Sequence, residues 1–409
     1  MSILRQGLLI AVMIGFLWTV VLQFTITVAL AFGTGGGYTP VWLVSGIVGM
    51  TSAIIWILYN QTTNPLKLMA LQQALTIVLM LSLSFGQPFG VPLTESLWLQ
   101  IGALVVLAYA LNYTLRNMLN DITIGLQVRH NAEMAAIKGL LAFGYLFFVA
   151  IVMIPFYVMI MTSFKSQQAL LINPLDFSLD WQLGWGLFRS YVELFRDYNF
   201  GTYLLNSFVI SVLTVLITLL FSAPGAYAVA RLKFKGRAFM VRGILLIYMV
   251  PLIVLALPIY IVFSILELRN SLVGILLIYP VTTIPVALYM LQGYFRGLPE
   301  EVEEAGLMDG LSRFGVVMKI TLPLALPALA SVSLYVFMIA WNEFLLAFML
   351  LDDPSIFTLT RGVSMLNSSE IPRQHLMAGA VISTLPIMLI FLFLERFMTK
   401  GLTAGSVKG

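Results

Sequence analysis

The chain has 409 residues, 60% of them hydrophobic and only 10% charged, with a formal net charge of +4. An ordinary soluble domain carries about 25% charged residues, so a water-facing globule of this length is excluded. The 31 Gly, 17 Pro and 0 Cys also exclude collagen-like, disordered and disulfide-scaffold classes, together with thiol chemistry and thiolate metal sites.

What remains is an all-α polytopic membrane protein. A bilayer core needs about 20 apolar residues per helix. Ten runs meet that need, over 8–32, 40–59, 66–86, 95–115, 139–163, 203–230, 240–266, 271–292, 322–351 and 375–397. They are continuously apolar, which predicts helices rather than the alternating strands of a barrel. Arg5, the first run and Ala29-Leu30-Ala31 mimic a cleavable signal peptide. The run is longer than the usual core of such a peptide, and it reads as a span.

Orientation follows from Lys and Arg in the loops. With a cytoplasmic N-terminus, Arg5, Lys67, Arg116, Arg129, Lys138, Arg231, Lys233, Lys235, Arg237, Arg242, Arg296, Arg313, Lys319, Arg396, Lys400 and Lys408 lie inside. Lys165, Arg189, Arg196, Arg269, Arg361 and Arg373 lie outside. That is sixteen against six of the 22. Both termini are therefore expected in the cytoplasm.

Residues 1–115 form a four-span block with short loops. Residues 116–138 are polar, with Ile122, Ile124, Leu126 and Val128 interspersed, and are expected to form an amphipathic cytoplasmic connector. Residues 139–397 hold six spans and every long loop, and 398–409 form a tail. In the outer loop 164–202, Trp181, Trp185 and Phe188 are spaced for one face of a short interfacial helix. An aromatic belt anchor and a surface for an external partner both fit that pattern.

The cytoplasmic loop 293–320 carries the strongest signal. Pro299 suits the first turn of a helix. Glu300, Glu301, Glu303 and Glu304 complement the positive end of its dipole. Asp309-Gly310 is a stop, and Ser312 offers an N-cap for a second short helix through Lys319. A solvated, charged loop and a docking device both fit this spacing.

Here the residues carry a resemblance. Glu304, Ala305, Gly306, Gly310, Ile320, Leu322 and Pro323 fall at the spacing E-A-A-x3-G-x9-I-x-L-P, with Gly306 in place of the second Ala. The segment resembles the docking loop of the inner-membrane permeases of binding-protein-dependent ABC importers. Asn206-Ser207-Phe208, Ala226-Tyr227-Ala228-Val229-Ala230-Arg231-Leu232-Lys233-Phe234-Lys235-Gly236-Arg237, Trp341-Asn342-Glu343-Phe344 and the terminal Gly401–Gly409 are similar to carbohydrate importers of the MalG type. The likeness covers residues 139–409, so the first 115 residues read as an extension of the six-span core.

The resemblance implies partners: a second, related permease, two copies of a cytoplasmic ATPase subunit, an extracytoplasmic substrate-binding protein and membrane lipid, with no nucleic acid. The chain has no Gly-Lys dipeptide and so no P-loop. No cofactor is expected on it, and ATP and magnesium are expected in the ATPase subunits. By the same resemblance Glu303, Glu304, Ala305, Gly306, Asp309, Gly310, Ile320, Leu322 and Pro323 form the ATPase-docking surface. Thr403, Ala404, Gly405 and Lys408 approach the ATPase interface, although composition alone reads them as a frayed end.

Polar groups inside spans are functional candidates. Asn206, Asn342 and Glu343 are candidates for the translocation path, against a plain reading as helix-to-helix hydrogen bonds. Pro224, Pro251, Pro258, Pro280, Pro285, Pro327 and Pro386 are expected to kink or break spans. His130 and His375 fall on opposite sides, and no nucleophile–base set is visible, which disfavours an enzyme. The expected cargo is a disaccharide or α-glucoside such as maltose or trehalose. Glycerol-3-phosphate or a polyol is the alternative cargo. An ion-driven secondary transporter is the remote alternative, for which only Glu343 offers an intramembrane carboxylate.

Overall fold

The computed structural model describes residues 6–59, 65–174, 176–368 and 370–404. Among them there is no strand, only one isolated bridge between Gln6 and Leu126. The chain divides into two compact units, 1–187 and 188–409.

The first unit contains α1 (Gly7–Thr34), α2 (Trp42–Tyr59), α3 (Pro65–Leu83), α4 (Leu97–Leu119), α5 (Arg129–Ser163) and the short α6 (Gln167–Ile172). Helices α1 to α4 pack as a bundle, and α5 lies on α1 and α4. The α1–α2 crossing is close because Gly15 and Gly49 face each other: a Cβ on either would strike the other's carbonyl oxygen. Small residues that let backbones approach drive helix association where lipid removes the hydrophobic incentive. Neutral hydrogen bonds complete the bundle. Trp18 Nε1 donates to Thr114 Oγ1 at 2.6 Å, Asn112 Nδ2 to Thr76 Oγ1 at 3.2 Å, and Gln72 Nε2 to the Ser52 carbonyl at 2.9 Å.

The polar stretch 116–138 is divided between elements. Its start finishes α4 and its end begins α5. Arg129 and Glu133, one turn apart at 2.6 Å, together with Ala132, Ala135 and Ala136, favour helix well before the apolar run. Lys138 reaches Asp121 in the intervening turn at 2.8 Å. The apolar window of α5 has none of its residues buried.

The second unit contains α7 (Arg189–Asp197), α8 (Phe200–Arg231), α9 (Arg237–Met249), α10 (Leu252–Ile265), α11 (Leu272–Gly297), α12 (Glu300–Met308), α13 (Arg313–Val316), α14 (Leu322–Leu324), α15 (Leu326–Asn342), α16 (Leu345–Leu350), α17 (Leu359–Leu366) and α18 (Arg373–Ala404). Helices α8, α11, α15 and α18 form its bundle. One core, around Phe200, Tyr279, Phe337 and Trp341, fills one end. A second, around Ala226, Leu291, Phe295 and Val332, fills the end from which α12 projects.

Seven described helices are long and apolar enough to cross a membrane, or eight if one bent pair counts as a span. Two of the differences from ten lie at breaks; the third is α3, whose described apolar stretch Lys67–Leu83 falls short of a span. The run 240–266 is two helices, because Pro251 pushes the residue before it out of helical geometry. The run 322–351 is broken twice. Residues Arg313–Leu324 and Leu326–Asn342 meet at 72°, where Pro323 and Pro327 remove amide donors. The second break is at Glu343, whose ψ of 124° ends α15. The aromatic stretch Trp181–Phe188 is not one interfacial helix, since Gly184 (φ 49, ψ −122) kinks it. Trp181 and Trp185 are both exposed there.

Candidate functional site

The docking candidate is built from the end of α8 upward. Helix α11 stops at Gly297, and Leu298 is extended ahead of Pro299. Pro299 (φ −60, ψ 132) caps α12 from outside. Glu300, Glu301 and Glu303 occupy the first turn, next to amide N–H groups that have no helical partner.

Below that turn lies Arg231, the last residue of α8, whose side chain is only 8% exposed. Its Nη2 donates to the Leu298 carbonyl at 2.5 Å and its Nη1 to Glu300 Oε1 at 3.1 Å. Its Nε lies 3.4 Å from Glu303 Oε1. Glu303 also accepts from Tyr227 Oη at 3.2 Å and from Thr321 Oγ1 at 3.2 Å. A half-buried carboxylate with two hydroxyl donors and a guanidinium clamps α12 to α8 and to the chain beyond it.

The far end of α12 is closed equally firmly. Asp309 N donates to the Ala305 carbonyl at 2.9 Å and Leu311 N to the Gly306 carbonyl at 3.1 Å. Gly310 supplies the left-handed turn (φ 84) that this double cap requires. Ser312 Oγ then accepts from Gly315 N at 3.1 Å and starts α13. The following turn, Val317–Thr321, is π-helical. It carries Ile320 over Gly306, where an added Cβ would meet Ile320 Cδ1 at 2.5 Å and Val316 Cγ2 at 3.3 Å. Gly306 is buried, while Glu304, Ala305, Asp309, Gly310 and Pro323 are exposed and Ile320 and Leu322 are half-buried. A cleft between α8 and α12 is lined by Tyr227, Arg231, Lys233, Glu304, Leu307 and Arg313.

The predicted docking residues are thus brought together, but in two roles. Glu303 is turned inward and already paired, whereas Glu304, 100° round the helix, presents its carboxylate to solvent. Tyr227, Arg231 and Thr321 complete the arrangement, and the loop sequence alone does not point to them. The signal for the first two is their spacing of four residues, which puts both on one face of the last turn of α8. Thr403 and Ala404 are the last described residues of α18, and Gly405 and Lys408 lie outside the described residues.

The three residues of the candidate path are not one cluster. Glu343 Oε1 accepts from Leu346 N at 2.8 Å and Oε2 from Ala347 N at 3.1 Å, so the side chain that ends α15 also caps α16. Tyr279 Oη donates to Glu343 Oε2 at 2.8 Å. Asn206 Nδ2 donates to the Phe357 carbonyl at 3.1 Å. Asn342 is exposed and donates to the Met338 carbonyl of its own helix at 2.8 Å. Away from this region, His375 Nε2 lies 2.8 Å from Glu193 Oε2, joining α18 to α7. The Arg189 guanidinium, and His375 after it, hold the Glu193 carboxyl below its ordinary range against an opposing effect of burial.

The helical bundles and the capped helix–turn–helix between α11 and α15 define a polytopic membrane transport subunit. Residues 222–403 match the family described as the inner membrane component of binding-protein-dependent transport systems. The inner membrane ABC transporter permease protein YcjP of Escherichia coli (strain K12) is 36% identical over 270 residues, covering 65% of this chain and 95% of that one. The trehalose/maltose transport system permease protein MalG of Thermococcus litoralis is 34% identical, covering 66% and 96%. A bacterial ABC transporter involved in import of the acidic polysaccharide alginate has the same fold in one of its chains. That likeness has a TM-score of 0.56 and 22% identity, over 66% of this chain and 98% of the other. The chain belongs to the binding-protein-dependent transport inner membrane family, as a carbohydrate ABC importer permease of the MalG type. It is a multi-pass inner membrane protein, and its family implies ATPase and substrate-binding-protein partners.

Proposed function

We propose that α12 is the lever through which ATP-driven motion reaches the membrane. The chain pairs with a second, related permease and with two ATPase subunits that hold ATP and magnesium. Helix α12 enters a groove of one ATPase subunit as a helix-in-groove contact. Glu304 and Asp309 face a basic group there, while Glu303 holds the lever to α8. Closure of the ATPase subunits on nucleotide draws the levers together, and the spans rock from inward- to outward-facing. The bound clamp of Arg231, Tyr227, Glu303 and Thr321 is the observation that carries this reading, because a lever must be stiff at its base.

On this reading both termini are cytoplasmic, and the end of α18 from Thr403 through Lys408 approaches the ATPase interface. Residues 139–397 form the translocation core and 1–115 an accessory membrane block. Asn342, exposed on α15, is the path residue, while Glu343 and Asn206 position backbone around it. The cargo is a disaccharide or α-glucoside such as maltose or trehalose. The trehalose/maltose naming of one relative and the arabinooligosaccharide naming of another favour a short oligosaccharide.

The test is Glu304→Lys. Substrate uptake is expected to stop and ATPase stimulation by the binding protein to disappear, with the chain still in the membrane in normal amount. Unchanged uptake with unchanged coupling would remove α12 from the ATPase interface.

A further inference from the structure

A second charged feature lies where α8 and α11 finish. Arg237 and Arg242 of α9 and Arg296 in the last turn of α11 line one cavity with Phe234, Gly236 and Ala238. None of the three forms an ion pair with a described carboxylate. The bonds they do form are to neutral acceptors. Arg237 Nη2 donates to the Ala230 carbonyl at 3.3 Å. The Gln292 amide oxygen, in the orientation that satisfies both groups, accepts from Arg296 Nη1 at 3.2 Å and Nη2 at 2.5 Å. Arg231, six residues before Arg237, is by contrast fully countered by Glu300 and Glu303. Three guanidiniums around one cavity repel each other until an anion enters. Gly236 (φ 91) adds to the field by turning the chain so that α9 begins at the cavity.

The rim indicates what carries the anion. Phe234 and Phe239 are exposed beside the arginines, and Met240, Leu246 and Met249 continue the apolar surface along α9. A free phosphate needs no such surface. A phosphate on an acyl body does, and aromatic residues with basic neighbours are what a membrane interface selects. We propose that this three-arginine cavity holds the phosphodiester headgroup of an anionic phospholipid. Guanidinium forks match phosphate oxygens in pairs. This rests on the reading that α8 and α11 end at the cytoplasmic membrane surface.

The full chain, in the assembly with which it purifies, is exchanged into vesicles of phosphatidylglycerol with phosphatidylcholine, and retained lipid is counted by native mass spectrometry. The unmutated assembly should retain phosphatidylglycerol with at least about tenfold preference. The Arg237→Gln, Arg242→Gln, Arg296→Gln triple variant should lose that preference. A measurement on the unmutated chain guards against misfolding of the variant: photoreactive phosphatidylglycerol should label the segment around Phe234–Phe239, and photoreactive phosphatidylcholine should not. Equal retention by both proteins, or equal labelling by both lipids, overturns the proposal. Displacement of phosphatidylglycerol by millimolar inorganic phosphate assigns the cavity to free phosphate and overturns it too. Uptake enters none of these readings, so failure of the docking assignment leaves them interpretable.

Discussion

The four-helix block α1–α4 and the loop around α12 hold themselves together by opposite means. The block has glycine contacts and neutral bonds, Trp18 to Thr114, Asn112 to Thr76 and Gln72 to Ser52, all within its own bundle. The loop uses charge, with one buried guanidinium serving a carbonyl and two carboxylates. The difference follows from solvent. In hydrocarbon an uncompensated charge is costly, so a lipid-facing bundle closes its polar groups on each other. At the water interface a charge can be fixed on one side and offered on the other. Glu303 and Glu304 are neighbours that divide those two duties. On the proposed function, the surface for a soluble partner lies on α12.

The largest expected effect comes from breaking the charged clamp. Arg231→Gln leaves Glu303 half-buried without its cation, a loss on the order of 3 kcal/mol at the base of α12, and uptake should fall by more than about tenfold. Glu303→Gln should be milder, because the amide oxygen still accepts from one of Tyr227 and Thr321 and the other hydroxyl can turn to accept from the amide N–H. Uptake assays on both variants, normalised to membrane content, check that order. If Arg231→Gln transports normally, the clamp is not what stiffens the lever.

A middle-sized effect is expected at Gly306. Gly306→Ala requires the terminal methyl of Ile320 to swing aside and Val316 to give slightly, and it gains up to about 1 kcal/mol of helix propensity. Gly306→Val also presses on Val316 and should cost about 1–3 kcal/mol of local packing. Adding Ile320→Val should restore part of the uptake lost in Gly306→Val. The smallest effect belongs to the neutral region. Asn112→Leu removes the Nδ2 bonds to Thr76 and to the Ala108 carbonyl of its own helix, and the Asn112 Oδ1 acceptor has no partner to lose. It should lower thermal stability by about 0.6 kcal/mol and leave uptake unchanged.

Much of this was legible in the sequence because the governing physics is local. Pro299, the following glutamates, Asp309-Gly310 and Ser312 specify α12 and the start of its successor, but α13 ends at Val316 rather than Lys319, where the chain becomes π-helical. Pro251 marks the break between α9 and α10. The break at Glu343 was not legible, because neither Pro nor Gly makes it. A carboxylate there caps the next helix and takes a bond from Tyr279, 64 residues away. Which of Glu303 and Glu304 turns inward also depends on where α8 ends, and no property of the loop encodes that. Gly306 fitted a spacing pattern without a stated cause, and the cause is Ile320 lying over it.

The chain contains no cysteine, so a single introduced thiol is unique. The most direct test of the lever is therefore Glu304→Cys, with Asp353→Cys in the exposed loop before α17 as control, each treated with a short thiol–amine cross-linker in membranes holding the assembled importer. A product of this chain joined to the ATPase subunit is expected from position 304, with a yield that changes when nucleotide is added, and none from position 353. A product from neither position, or equal products from both, would contradict the assignment of α12 as the docking helix.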